Sequence, residues 1–203
     1  MGTWLPERAE ALAFLAQHLK TTNLVRHSLA TEAVMRSLAR RLGADEELWS
    51  LTGLFHDMDL DIVGNDMSRH GVTTAALLSE RGFPEEGVRA IVAHNGDELG
   101  VAPEGLFQWA LIAGETITGF VVACTLVHPS KCVAQVKPSS VRKRMKESRF
   151  AANVKRERIE CIDRTGLSLD EFIALALAAM IEVKDSIGLQ GLEPTSGFEP
   201  ETC

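Results

Sequence analysis

No CxxC pair occurs in this sequence of 203 residues: Cys124, Cys132, Cys161 and Cys203 stand apart. That spacing fits neither a zinc ribbon nor a disulfide framework, so the cysteines read as ordinary reduced thiols. Long unbroken apolar runs are missing too, and a stretch such as Phe120 to Val127 falls well short of the roughly 20 residues that span a bilayer. The N-terminus lacks a basic start followed by an apolar segment, so no secretory signal is expected and the cytoplasm is the expected location. Nor is there a run of alternating polar and apolar residues of the kind that marks a half-buried strand. Positive charge is in the minority: the net charge of −7 argues against a coat for nucleic acid. The cations that exist are clustered, however. Residues 131–158 hold ten Lys/Arg against only Glu147 and Glu157, which puts that segment at about +8 and the rest at about −15. Such a surface can hold an anion, or simply be a solvated helix face that balances acidic neighbours.

What is present is helical periodicity, and the expected fold class is all-α. The length suits one domain with one core. Helices are expected over residues 6–20, 23–42, from 45 into the motif at 53–61, 70–81, 84–94 and 104–127, followed by short basic helical segments. A closing helix of about five turns is expected to start from a capping box formed by Ser168 and Glu171. The expected domain covers residues 1–188, with its core at about 24–127 and a basic extension at 128–188. Residues 189–203 lack periodicity and are expected to be a disordered tail. Gly197-Phe198-Glu199-Pro200 can be encoded by the reverse complement of the common tRNA T-arm sequence, so the tail resembles read-through into an antisense tRNA gene. Its deletion from Gly191 onward is expected to leave folding and activity unchanged.

The stretch Gly53-Leu-Phe-His-Asp-Met-Asp-Leu-Asp61 sets a histidine and three carboxylates against an otherwise core-like helix. A buried carboxylate needs a metal, a salt bridge or water. His27 continues the apolar stripe of Thr31, Val34, Leu38 and Leu42, His70 shares a face with Thr74 and Leu77, and Glu115 interrupts the stripe of Leu111, Ile112, Thr118 and Val122. His94 ends its own helix. Neutral imidazoles and carboxylates together suit a divalent transition metal, with Mn, Fe, Co, Ni or Zn favoured over Mg or Ca. The bland alternative is a set of buried, hydrogen-bonded polar residues. His18 and His128 read as surface or loop residues.

The segments "HSLATEAVMRSLARRLG" from His27, "GLFHDMDLD", "RHGVTTAALL", "AHN" and "GETITGFVVA" resemble the HD-domain superfamily of metal-dependent phosphohydrolases over about Leu24 to Val127. "TLVHPSK" with "VKPSSVRKRMK" resembles the extension of a small stand-alone HDIG-type subgroup. The resemblance implies an all-helical fold in which His27, His56, Asp57 and the distal Glu115 hold a metal. His70 and His94 would serve a second ion, and Asp57 would bridge the two. Glu115 departs from the family's usual aspartate, and one added methylene asks the site to adjust.

The implied reaction is hydrolysis of a phosphate ester in a small anionic substrate such as a nucleotide. Asp59 is the candidate for handling the proton of the attacking water, while Arg69 and Lys131 are the candidates for phosphate contact. Asp61 reads as a solvated loop carboxylate, and residues 142–146 as a solvated basic face. The reading from a different class is a non-catalytic module that binds a ligand or RNA through residues 131–158. Hydrolysis of a non-phosphate bond is a third reading that residue types leave open. The sequence fixes neither the substrate, the number of ions nor the oligomeric state; a homodimer through the apolar helices is compatible with it.

Overall fold

The computed structural model describes residues 3–64 and 66–191, and within them every regular element is helical. Helix α1 (Arg8–His18) leads into the long α2 (Thr22–Leu42), which ends at Gly43 in the left-handed region. Helix α3 (Glu46–Phe55) starts where the Asp45 carboxylate accepts from the backbone N–H groups of Glu47 and Leu48, satisfying two otherwise orphaned donors. Two single-turn helices, α4 (Leu60–Val63) and α7 (Gly96–Leu99), occupy stretches expected to be loops. Between them lie α5 (Val72–Arg81) and α6 (Glu85–His94).

Helix α8 (Leu106–Leu126) is long and apolar enough to cross a membrane by length and composition, but 61% of its most apolar window is buried inside the protein. It packs along α2, where a Cβ on Gly114 would lie 2.9 Å from Sδ of Met35. The same methionine receives α3: a Cβ on Gly53 would be 2.9 Å from its Cγ and equally close to the Thr31 carbonyl. These bare positions let three helices approach one another, which sets the spacing of the polar side chains they carry.

The basic segment forms the short helices α9 (Pro138–Arg144) and α10 (Arg156–Glu160), with Lys143 and Lys146 exposed. Arg142 pairs with Asp170, and Arg144 lies over the ring of Phe150. Helix α11 (Leu169–Glu182) closes the core, with the Ser168 hydroxyl accepting from the Glu171 N–H. The Glu171 side chain pairs with Arg41 instead of completing the box. It is also shorter than the five turns expected. The buried apolar side chains form one continuous cluster that includes residues of α1, α2, α3, α8 and α11.

The expected tail begins too early. Leu189 is buried, its carbonyl accepts from the Val133 N–H, and Gln190 bridges to Cys132. The rest of that tail, from residue 192 and including Cys203, lies outside the described residues. Cys124, Cys132 and Cys161 are free thiols, as expected, and burial pushes Cys124 and Cys161 up to about 11.

Candidate metal centre

Four helix ends and one helix middle meet around Asp57. His27 comes from the first turns of α2, His56 and Asp57 follow α3, His70 precedes α5, and His94 ends α6. His56, Asp57, His70 and His94 are buried, and His27 is half-buried. Two groups have ligand atoms close enough to share an ion: His27, His56 and Asp57, and Asp57, His70 and His94.

In each imidazole the Nδ1 position is already spoken for. His56 donates to the Gly53 carbonyl at 2.8 Å, His94 to the Ile91 carbonyl, and His70 to the Asp59 carboxylate at 2.8 Å. His27 Nδ1 lies 3.0 Å from the Thr118 hydroxyl, whose single hydrogen is directed at the Glu115 carbonyl, so His27 is the donor there. With Nδ1 protonated, a neutral imidazole presents a lone pair at Nε2. Those lone pairs face one another, at 3.2 Å between His27 and His56 and 3.0 Å between His70 and His94. Two facing lone pairs repel unless a cation sits between them.

Asp57 serves both pairs. Its Oδ2 is 3.5 Å from Nε2 of His27 and 3.3 Å from that of His56, while its Oδ1 is 3.4 Å from both His70 and His94. Two donors each about 2.1 Å from one ion stand roughly 3.0 Å apart at right angles and roughly 3.4 Å apart in a tetrahedron. The observed separations fall in that range or within 0.1 Å of it, so the residues fit one ion per triad with Asp57 shared. Protons are the alternative occupants. Burial works to lower the pKa of His70, but Asp57 and Asp59 outweigh it and lift it to about 9. Burial likewise works to raise that of Asp57, yet the surrounding histidines hold it well below the usual carboxylate range. His27, mainly through burial, is lowered.

The two triads open into a cavity of about 460 Å³ that is also lined by Glu115, Asp97, Lys155 and Arg158. Glu115 enters neither triad as placed: its Oε1 accepts from Arg158 at 2.9 Å and from the Thr116 hydroxyl at 2.6 Å. Arg158 is further fixed by the His94 carbonyl at 2.6 Å, and Asp97 lies beside both Arg158 and Lys155.

Three expected roles need correction. Asp59 is fully buried and does not line the cavity; its oxygens accept from His70, Gly71 N and Thr74 N, which leaves it to orient His70 rather than to meet water. Arg69 and Lys131 are exposed and lie outside the cavity wall, so the cations at the site are Lys155 and Arg158 instead. Sequence proximity to His70 and to α8 had favoured Arg69 and Lys131, which do not line the cavity. Two further positions were missed. Asn95 ties the segment before α5 to α6 by donating to the carbonyls of Met67 and His70, and Gly71 takes a φ of +81° where a Cβ would come 3.1 Å from the Ile91 carbonyl. Asp61 is exposed, as expected, and also accepts from Lys20 N, Thr21 N and the Thr21 hydroxyl, so it clamps the turn between α1 and α2.

Residues 24–117 match the sequence model of the HD domain, so this stretch of the chain is an HD domain. Over 174 residues, 83% of this chain, it is 26% identical to Ribonuclease Y of Sulfurovum sp. (strain NBC37-1), covering 33% of that protein. Over 96 residues, 47% of this chain, it is 28% identical to Ribonuclease Y of Acholeplasma laidlawii (strain PG-8A), covering 18% of it. The chain thus spans a third or less of the length of these relatives. No solved structure matches it.

Proposed function

We propose that this chain is a metal-dependent phosphoesterase acting in the cytoplasm on a phosphate ester of a nucleotide-type substrate, as a single domain built on the HD core. The observation that carries this reading is the convergence of four imidazole Nε2 atoms on the two oxygens of Asp57, at separations that suit shared ligation. Charge supports it. The cavity wall holds four carboxylates, Asp57, Asp97, Glu98 and Glu115, against two cations, Lys155 and Arg158, so an anionic substrate is attracted only when divalent cations are added. The name of the relatives, ribonuclease, favours a nucleotide ester over other phosphates.

In this reading His27, His56 and Asp57 hold one ion, and Asp57, His70 and His94 hold the other. Bound divalent ions supply activation of water near neutral pH and polarisation of the phosphoryl oxygen. Thr118 and Asp59 fix the rings of His27 and His70 so that Nε2 points inward. Arg158, held by Glu115 and the His94 carbonyl, and Lys155 bind the phosphate oxygens and offset charge that develops on them. Glu115 positions Arg158.

The test is metal content by elemental mass spectrometry on the protein purified without chelator and on Asp57→Ala, together with Mn-supported hydrolysis of bis(p-nitrophenyl) phosphate. The expected result is one to two ions per chain and turnover, both lost in the variant. A wild type that takes up no Mn, Fe or Zn sinks this reading and leaves the non-catalytic binding module in its place.

A further inference from the structure

Gly119 stands in the interior of α8, where a glycine weakens a helix relative to alanine. Gly53 and Gly114 explain themselves, since a Cβ at either would press on Met35. A Cβ on Gly119 would meet nothing within 4 Å, so no packing demand inside the protein keeps that position bare. Its location supplies a reason. Gly119 and His27 line the metal-centre cavity and also a second recess of about 330 Å³, formed by α2, α8 and residues 187–189. The two spaces meet across the glycine.

The recess has a distinct chemistry. Its walls are apolar, from Ala30, Val122, Leu126, Ile187 and Leu189, while Asn23 and Arg26 supply the polar edge. The Arg26 guanidinium lies on the bare backbone of Gly188, where a Cβ would be 2.7 Å from Cζ. Arg26 makes no ion pair or side-chain hydrogen bond among the described residues, in contrast to Arg8, Arg36, Arg40, Arg41 and Arg158. A planar cation beside apolar walls suits a flat, π-rich group with hydrogen-bonding edges. An aliphatic chain would make no use of Arg26 and Asn23, and a second phosphate would make none of the five apolar side chains. The volume is at the small end of the ligand-pocket range.

We propose that this recess is the subsite for the nucleobase of the substrate, with the sugar crossing Gly119 and the phosphate at the metal centre. This rests on the phosphoesterase reading and adds the part of the substrate that is recognised. Glycine at 119 lets the sugar approach the helix backbone, which a side chain would hold away.

The experiment is calorimetric binding of adenosine 5′-monophosphate and of ribose 5-phosphate, which lacks the base, to the Mn-loaded protein. The wild type is expected to bind the nucleotide roughly ten-fold or more tightly than the sugar phosphate. Val122→Trp, which fills the recess from a half-buried position, should collapse that ratio toward one, and the exposed Arg26→Gln should reduce it without any demand on folding. Gly119→Ala should weaken both ligands while raising Tm, a combination that loss of structure does not produce. Equal binding of the two ligands by the wild type, no binding of the nucleotide, or an unchanged ratio in both Val122→Trp and Arg26→Gln overturns the proposal. Metal uptake and turnover of bis(p-nitrophenyl) phosphate report separately on the phosphoesterase reading, so the subsite can fail while that reading stands.

Discussion

The buried carboxylate of Asp59 accepts the Nδ1–H of His70 at 2.8 Å and so turns the opposite nitrogen of that ring toward Asp57. The other oxygen of Asp59 accepts from the N–H groups of Gly71 and Thr74, fixing the start of α5 in the same contact. Replacing Asp59 by Asn keeps the shape but sets an amide donor against donors that already converge there. The expected loss is about 1–3 kcal/mol of stability. It should come with a roughly 10- to 100-fold weaker ion at the His70–His94 half. Metal titration of Asp59→Asn should show one strong and one weakened site. Equal loss of both ions would mean that Asp59 acts on the fold as a whole.

The long helices and the polar side chains that face the site were legible because each repeats or breaks a pattern. His27 lies on an apolar stripe of α2, and Glu115 interrupts one on α8. Helices α4 and α7 were not legible, since four residues make barely one turn and leave no period to detect. The cations of the site were missed for another reason. Lys155 and Arg158 line the cavity through tertiary contacts with Asp97 and Glu115, whereas Arg69 and Lys131 are near it only in sequence. The role of Asp61 was hidden in the same way: its three donors are about forty residues away, at the turn between α1 and α2.

Arg158 joins the wall of the cavity to Glu115, with both side chains less than a fifth exposed. Burial works to lower its pKa, but Glu115 and Asp97 outweigh that and raise it, so it remains a fixed cation. Arg158→Gln leaves Glu115 without its ion-pair partner and, in the proposed reading, removes a charge that faces the phosphate. A drop in kcat of about 10²-fold is expected from the second effect. Partial recovery in Arg158→Lys would assign the loss to charge, and no recovery to the fork geometry of the guanidinium. A variant with full activity would place the phosphate elsewhere in the cavity.

Asp61 holds the α1–α2 turn through three hydrogen bonds, which lower its pKa from the ordinary value of 3.8. A depressed carboxylate contributes stability that is present above the unfolded value and is lost as pH falls through the folded one. Asp61→Asn is therefore expected to lower Tm at neutral pH, by a cost of about 0.5–1 kcal/mol after allowing for solvent around this exposed group. Once pH has fallen through the depressed folded value, which lies below the ordinary 3.8, the variant and the wild type should converge. Thermal melts of both proteins across that range check this, and a constant difference down to the lowest pH would show that the carboxylate charge is not what the turn uses.

Removing metal should expose the opposite pH dependence. In the chain without ions, His70 is raised from 6.5 to about 9, burial being outweighed by Asp57 and Asp59. A raised folded pKa contributes stability that is fully present below the unfolded value and is lost as pH rises through the folded one. The chelated protein should accordingly lose stability between about pH 6.5 and pH 9, by about 1–3 kcal/mol, as the proton between the facing imidazoles is removed. Bound ions replace that proton, so the metal-loaded protein should keep its Tm through the same window and release protons when metal is added near neutral pH. Melts with and without chelator from pH 6 to 10 measure the divergence. Parallel curves would mean that His70 carries no proton in the metal-free state and that the two imidazole pairs move apart when the ions leave.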